Sequence, residues 1–145
     1  MIPKRRAPPM PEKKKILVAD DDPATLKLLE IILSGAGYDV IQASSGNDAV
    51  ALAREQKPDL IVLDILLPGM SGIHVAFQLR EETATAGLPV IFISSLMEKD
   101  VVKDMAPDAE STFLQKPVNR SVLLKEVGRL LEPGPRRRPD YPSQV

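Results

Sequence analysis

Leu60-Ile61-Val62-Leu63-Asp64 decides how the rest of the chain is read. Four aliphatic residues in succession suit a strand covered on both faces of a sheet, because a half-exposed strand would alternate with polar residues. The run closes on a carboxylate. Three further runs behave alike: Ile16-Leu17-Val18-Ala19 enters Asp20-Asp21-Asp22, Val90-Ile91-Phe92-Ile93 enters Ser94, and Thr112-Phe113-Leu114-Gln115 enters Lys116-Pro117. In an open parallel sheet, side chains at the carboxyl ends of neighbouring strands converge on one crevice. Carboxylates, a hydroxyl and an ammonium are therefore expected at one point, a set able to handle a phosphoryl group.

Working outward, helix-period segments separate the apolar runs. Asp22 then Pro23 supply an N-cap and a first-turn proline for a helix carrying Leu26, Leu29, Ile32 and Leu33, stopped at Gly35 or Gly37. Tyr38–Ala43 reads as a weaker second strand, and Ser45-Gly46-Asn47-Asp48 has capping-box spacing before a helix that Pro58 ends. After the turn Pro68-Gly69-Met70-Ser71-Gly72, residues Ile73, Ala76, Phe77 and Arg80 recur at helical spacing. Pro89–Ile93 is the fourth expected strand, Glu98–Met105 a short helix ended by Pro107, Thr112–Gln115 the fifth strand, and Asn119 caps a last helix. Strand and helix thus alternate five times, the pattern of an α/β fold with a parallel sheet, since parallel neighbours need helical crossovers.

The 145 residues suffice for one domain with a real core. No apolar run is long enough to span a bilayer, and the residues before Ile16 lack the apolar stretch of a secretory signal. The absence of cysteine excludes a disulfide framework and fits a cytoplasmic protein. A net charge of −1 conceals a segregation: residues 1–15 carry +5, the tail from Pro133 carries +2, and −8 remains on residues 16–132. Both basic extensions are rich in proline and are expected to be disordered, giving a 1–14 extension, a 15–132 domain and a 133–145 tail. Without interleaved aromatics, Lys13-Lys14-Lys15 and Arg136-Arg137-Arg138 read as solvated extensions rather than a nucleic-acid surface.

Asp20-Asp21, Asp64, Ser94 and Lys116-Pro117, in that order after strands one, three, four and five, resemble the site of a bacterial two-component response-regulator receiver domain, in its stand-alone, chemotaxis-receiver-like form. The resemblance runs from about Lys15 to Glu132. It implies a five-stranded flavodoxin-like sheet in the order 2-1-3-4-5. Asp64 is then the phosphoacceptor, taking a phosphoryl group from the phosphohistidine of a sensor histidine kinase or phosphotransfer protein. Asp20, Asp21, Asp64 and the backbone carbonyl of Leu66 become the Mg²⁺ site, an oxygen-only set of the kind that ion takes. Lys116 and Ser94 contact phosphoryl oxygens, and the Lys116-Pro117 bond is expected to be cis.

The same resemblance makes Phe113 the aromatic that turns inward behind the hydroxyl residue. The downstream partner would dock on the face built from the fourth helix, fifth strand and fifth helix. It leaves a phosphorylation-linked homodimer open, and no DNA-binding output domain is expected after Leu131. Ser71, Val118 and Ala106-Pro107-Asp108 depart from the family's usual residues. So do Leu66 and Leu96, which cannot hydrogen-bond an attacking water and imply a long-lived phospho-Asp64. His74, the only histidine, is expected to be a surface residue, and Asp22 a helix cap rather than a ligand.

Two other functions fit parts of the pattern. A phosphorylation-independent pseudo-receiver would keep the fold as an interaction module. A haloacid-dehalogenase-like phosphohydrolase also uses an Asp nucleophile, a Lys and Mg²⁺, and Asp20-Asp21-Asp22 imitates its opening motif. Such enzymes need a further acidic pair after the lysine, where this chain has only the scattered Glu126, Glu132 and Asp140. A signalling domain rather than an enzyme is the expectation.

Overall fold

The structure, a computed structural model, describes residues 13–95 and 111–132. Five parallel strands form one sheet: β1 (Lys15–Ala19), β2 (Asp39–Ala43), β3 (Leu60–Asp64), β4 (Val90–Ser94) and β5 (Ser111–Gln115). Their order is β2-β1-β3-β4-β5. Four helices accompany them among the described residues: α1 (Pro23–Gly35), α2 (Gly46–Gln56), α3 (Gly72–Arg80) and α4 (Arg120–Leu131). The helix expected over Glu98–Met105 and the basic extensions, apart from Lys13 and Lys14, lie outside the described residues, as does Leu96.

The unbroken apolar strands form the centre because both of their faces are covered. Every residue of β3 and β4 is buried. On one face Leu17, Ala19, Ile61, Leu63, Val90 and Phe92 pack with Ala49, Val50 and Ala53 of α2 and Ile73, Ala76 and Leu79 of α3. On the other, Ile16, Val18, Leu60, Val62, Ile91 and Ile93 meet Leu26, Leu29, Ile32 and Leu33 of α1 and Leu123, Val127 and Leu130 of α4. Alternate residues of one strand thus feed two cores, each buried Leu or Ile contributing roughly 1.5–3 kcal/mol.

Local chemistry sets the helix ends. Asp22 Oδ1 accepts from Ala24 N–H at 3.2 Å, with Pro23 next in the first turn. Gly35 is the last helical residue of α1, and Gly37, at φ +97°, makes the turn out. Tyr38 N–H still bonds to Leu33 O at 3.1 Å, so it belongs to the helix exit and β2 starts one residue later than expected. Ser45 Oγ accepts from Asp48 N–H and Asn119 Oδ1 from Val122 N–H, starting α2 and α4. Lys57 adopts the left-handed region at φ 50°, and Pro58 follows it.

In α3 the buried arc is Ile73, Val75, Ala76 and Leu79, leaving Phe77 48% exposed. Arg80 turns its guanidinium inward, donating to Leu88 O at 2.8 Å and Ser111 Oγ at 3.1 Å. Thr112 of β5 donates to Glu126 Oε1 at 3.0 Å and accepts from Arg129 Nη2 at 2.8 Å, tying α4 to the sheet's outer strand.

Gly128 lies inside α4 with open space where a Cβ would project and no positive φ. Gly128→Ala is therefore expected to raise unfolding free energy by about 0.5–1 kcal/mol by reducing the freedom of the unfolded chain. Urea unfolding checks this, and a loss of stability would contradict the packing described here.

Candidate functional site

β1 and β3 are hydrogen-bonded neighbours, yet the helices that follow them lie on opposite faces, so the chain parts above their carboxyl ends. That divergence opens the crevice at which open α/β sheets place ligands. Asp20 and Asp21 leave β1 there, Asp64 ends β3, Ser94 ends β4 and Lys116 follows β5. Oxygens of Asp20, Asp21 and Asp64 lie within 4.8 Å of one another. Asp20 is 0% exposed and Asp64 4%, while Asp21 is exposed at the mouth.

Lys116 closes the group. Its Nζ donates to Asp64 Oδ2 at 2.9 Å and stands 2.7 Å from Asp20 Oδ2. The second contact is a charge pair, and the Lys116 ammonium is the partner of the buried Asp20 Oδ2. Asp20 Oδ1 accepts from Asp22 N–H at 2.9 Å and Asp64 Oδ1 from Leu66 N–H at 3.1 Å. The Lys116-Pro117 peptide is cis, and Lys116 N–H bonds to Ser94 O at 2.8 Å, joining the ends of β4 and β5.

Burial pushes the Asp64 carboxyl above its ordinary value, against the opposing pull of the Lys116 and Leu66 hydrogen bonds. For Lys116, burial works to lower the pKa, but the contacts with Asp20 and Asp64 outweigh it and hold the ammonium above its usual range. Lys116 is thus kept as a cation between two carboxylates.

The donor set fits a hard divalent cation. It consists of three carboxylates whose oxygens lie within 4.8 Å of one another, two of them buried, and such hard oxygen ligands suit Mg²⁺. Leu66 lies in the loop after β3 and is 54% exposed. Ser94 is buried one position beyond Ile93, the register partner of Asp64. Phe113 is partly buried against the core on the α2 and α3 side.

Asp22 behaves as the cap expected of it. It is exposed, and hydrogen bonds from the Thr25 hydroxyl and the Ala24 N–H lower its pKa. Ser71 caps α3 by accepting from His74 N–H at 3.2 Å, and His74 itself is exposed. One contributor was missed in the sequence. A Cβ on Gly72 would lie 2.2 Å from Asp64 O and 3.2 Å from Ile65 Cα, so this glycine lets α3 begin directly beneath the acceptor. The available signal is the second glycine of Pro68-Gly69-Met70-Ser71-Gly72, which by itself announces only a turn.

A family model, the response regulator receiver domain, matches residues 16–128. The protein PilH of Pseudomonas aeruginosa is 36% identical over 118 residues, covering 81% of this chain and 97% of PilH. The DNA-binding response regulator MtrA of Mycolicibacterium smegmatis is 35% identical over 134 residues, 92% of this chain but 55% of MtrA. This chain therefore spans about half of that relative.

Among solved structures, chemotaxis protein CheY4 of Vibrio cholerae superposes with a TM-score of 0.75 at 26% identity, covering 83% of this chain and 100% of that one. A chain of the CheX-CheY-BeF3-Mg complex from Borrelia burgdorferi gives 0.75 at 30% identity, covering 83% and 90%. The chain belongs to the response-regulator receiver family, the phosphoacceptor signalling domains of two-component systems.

The raised Asp64 pKa has a thermodynamic consequence. Stability contributed by the neutral carboxyl is present below the unfolded value, near pH ~4, and is lost as pH rises through the higher folded value. In chelator at pH 7, Asp64→Asn is therefore expected to raise the melting temperature by several degrees, ~1 kcal/mol being worth a few degrees in a domain of this size. The gain should vanish towards pH 3. A mutant that melts below wild type at pH 7 would show that the Lys116 pair outweighs the burial cost.

Proposed function

We propose that Asp64 is the phosphoacceptor and that the chain takes its phosphoryl group from a sensor histidine kinase or phosphotransfer protein. One Asp64 oxygen attacks the phosphorus of a phosphohistidine, the N–P bond breaks, the imidazole leaves with the bonding pair, and an acyl phosphate remains. The observation that carries this reading is the buried Asp64 carboxylate with Lys116 Nζ at 2.9 Å and two further aspartates within 4.8 Å. Asp20, Asp21, Asp64 and the Leu66 carbonyl would hold Mg²⁺, which when bound neutralises phosphoryl oxygens as a Lewis acid.

Lys116 supplies a fixed positive charge to another phosphoryl oxygen, transferring its contact from Asp64 Oδ2 to the incoming group. The Ser94 hydroxyl donates to a third oxygen. Its movement, with repacking of Phe113, would alter the surface of β5 and α4 that a downstream protein reads. Folded receiver over 15–132, with basic extensions on either side, is the domain plan of this reading, and the cytoplasm is its setting. Among the described residues no helix is long and apolar enough to cross a membrane.

Intact mass after incubation with Mg²⁺ and acetyl phosphate or phosphoramidate tests the acceptor. Wild type is expected to gain one phosphoryl group, and Asp64→Ala or Mg²⁺ removal to abolish the gain. No adduct, together with no Mg²⁺ binding, would instead favour a phosphorylation-independent interaction module. Turnover of a generic phosphate ester would favour a phosphohydrolase.

The exposed Leu66 side chain cannot orient a water beside Asp64, so the acyl phosphate is expected to be long-lived for the family. Leu66→Asn should shorten its half-life in Mg²⁺ buffer several-fold. An unchanged decay would remove Leu66 from the account.

A further inference from the structure

Residues 65–71 form the loop between Asp64 and α3, and this loop carries two backbone groups of the site. One is the Leu66 N–H on Asp64 Oδ1, and the other is the Leu66 carbonyl assigned above to the metal. The loop's base is closed by Gly72 N–H on Ile65 O at 2.9 Å, with Gly72 pressed beneath Asp64. A loop pinned only at its base could pivot, carrying Leu66 with it.

Its far end rests on a different helix. A Cβ on Gly46, the first residue of α2, would lie 2.5 Å from Met70 O, 2.6 Å from Met70 Cβ and 3.1 Å from Met70 C. Contacts under 3.0 Å essentially never occur for real Cβ atoms, and the nearer of the two below that limit is to the backbone oxygen, which cannot swing aside. Asn47, next along α2, stands beside Gly69, with its Nδ2 3.8 Å from where a Cβ on that glycine would be. Gly46 is buried, and its φ is not in the left-handed region, so its backbone conformation does not require glycine. Close approach of the Met70 backbone does.

We propose that Gly46 is a positioning residue for phosphoacceptance: by admitting the Met70 backbone, it lets the start of α2 fix the loop tip and hold Leu66 against Asp64. The assignment of the Leu66 carbonyl rests on the phosphoacceptor reading, whereas the hold on the Leu66 N–H does not. A side chain at position 46 pushes Met70 outward, and displacement at one end of a short loop reaches Leu66 at the other. Misplacement of a reacting group by about 1 Å can cost as much as a hundredfold in rate.

Three readouts test the proposal: Mg²⁺ affinity by calorimetry with the metal alone, hydrogen exchange of the Leu66 amide, and the initial rate of phosphorylation by phosphoramidate. Gly46→Ala is expected to weaken Mg²⁺ binding about tenfold, speed Leu66 exchange relative to core amides, and slow phosphorylation, within the range a loop displacement allows. Ala53→Gly, buried on the same helix away from the loop, serves as the control. It should lower the melting temperature through lost helix propensity yet leave Mg²⁺ affinity within about twofold of wild type.

Unchanged Mg²⁺ affinity and Leu66 exchange in folded Gly46→Ala overturn the proposal, as does an equal loss in Ala53→Gly. Should Gly46→Ala fail to fold, hydrogen exchange of the wild type decides: the Leu66 amide is expected to open together with the amides at the start of α2, and exchange of Leu66 independent of α2 overturns the proposal equally. Wild type that takes no phosphoryl group would sink the phosphoacceptor reading, while Leu66 exchange would still decide whether Gly46 holds the loop.

Discussion

Two carboxylates buried side by side repel one another and lose their hydration, so Asp20 and Asp64 need a cation between them. Lys116 provides it, reaching both from the end of the sheet's outer strand. The three aspartates and one ammonium leave a formal charge of −2, which one divalent ion would cancel. An incoming phosphoryl group therefore meets a site whose negative charge can be balanced before the new bond forms. Removing Lys116 would leave both buried carboxylates uncompensated, a costlier change than the loss of one surface ion pair.

Everything else about the fold serves that convergence. β1 and β3 are adjacent, and their following helices leave on opposite faces, so the polar ends project into a gap instead of a covered core. The double apolar coat of β3 and β4 makes the platform rigid, and Lys116 N–H on Ser94 O sets β5 in register beside it. Leu66 and Gly72 then shape the first loop beyond Asp64. Strand ends give direction, and the loop sets distance.

Much of this was legible in the sequence because it depends on local rules. Uninterrupted aliphatic runs announced buried strands, and Asp22-Pro23, Ser45 and Asn119 announced helix starts that the structure contains. The ordered residues after the strands implied the crevice in which Asp20, Asp21, Asp64 and Lys116 meet. What could not be read depends on how segments distant in sequence approach. Gly46 looked like one member of a capping sequence, and only the packing of α2 on the β3–α3 loop gives it a neighbour 24 residues away. Phe77 followed the helical period of α3 but turns outward, since the buried arc is set by two packing partners, the sheet and α2.

The outer edge of β2 has a bearing on how copies of this chain could meet. An edge strand offers unpaired backbone groups to any other strand, which is a route to aggregation as well as to dimers. β2 is five residues long, carries an exposed Asp39, and has Gln42 tied to Glu30 of α1 at 2.9 Å. A second β2 laid alongside would gain only a short ladder. Self-association of this chain therefore has little to gain from extending the sheet at β2.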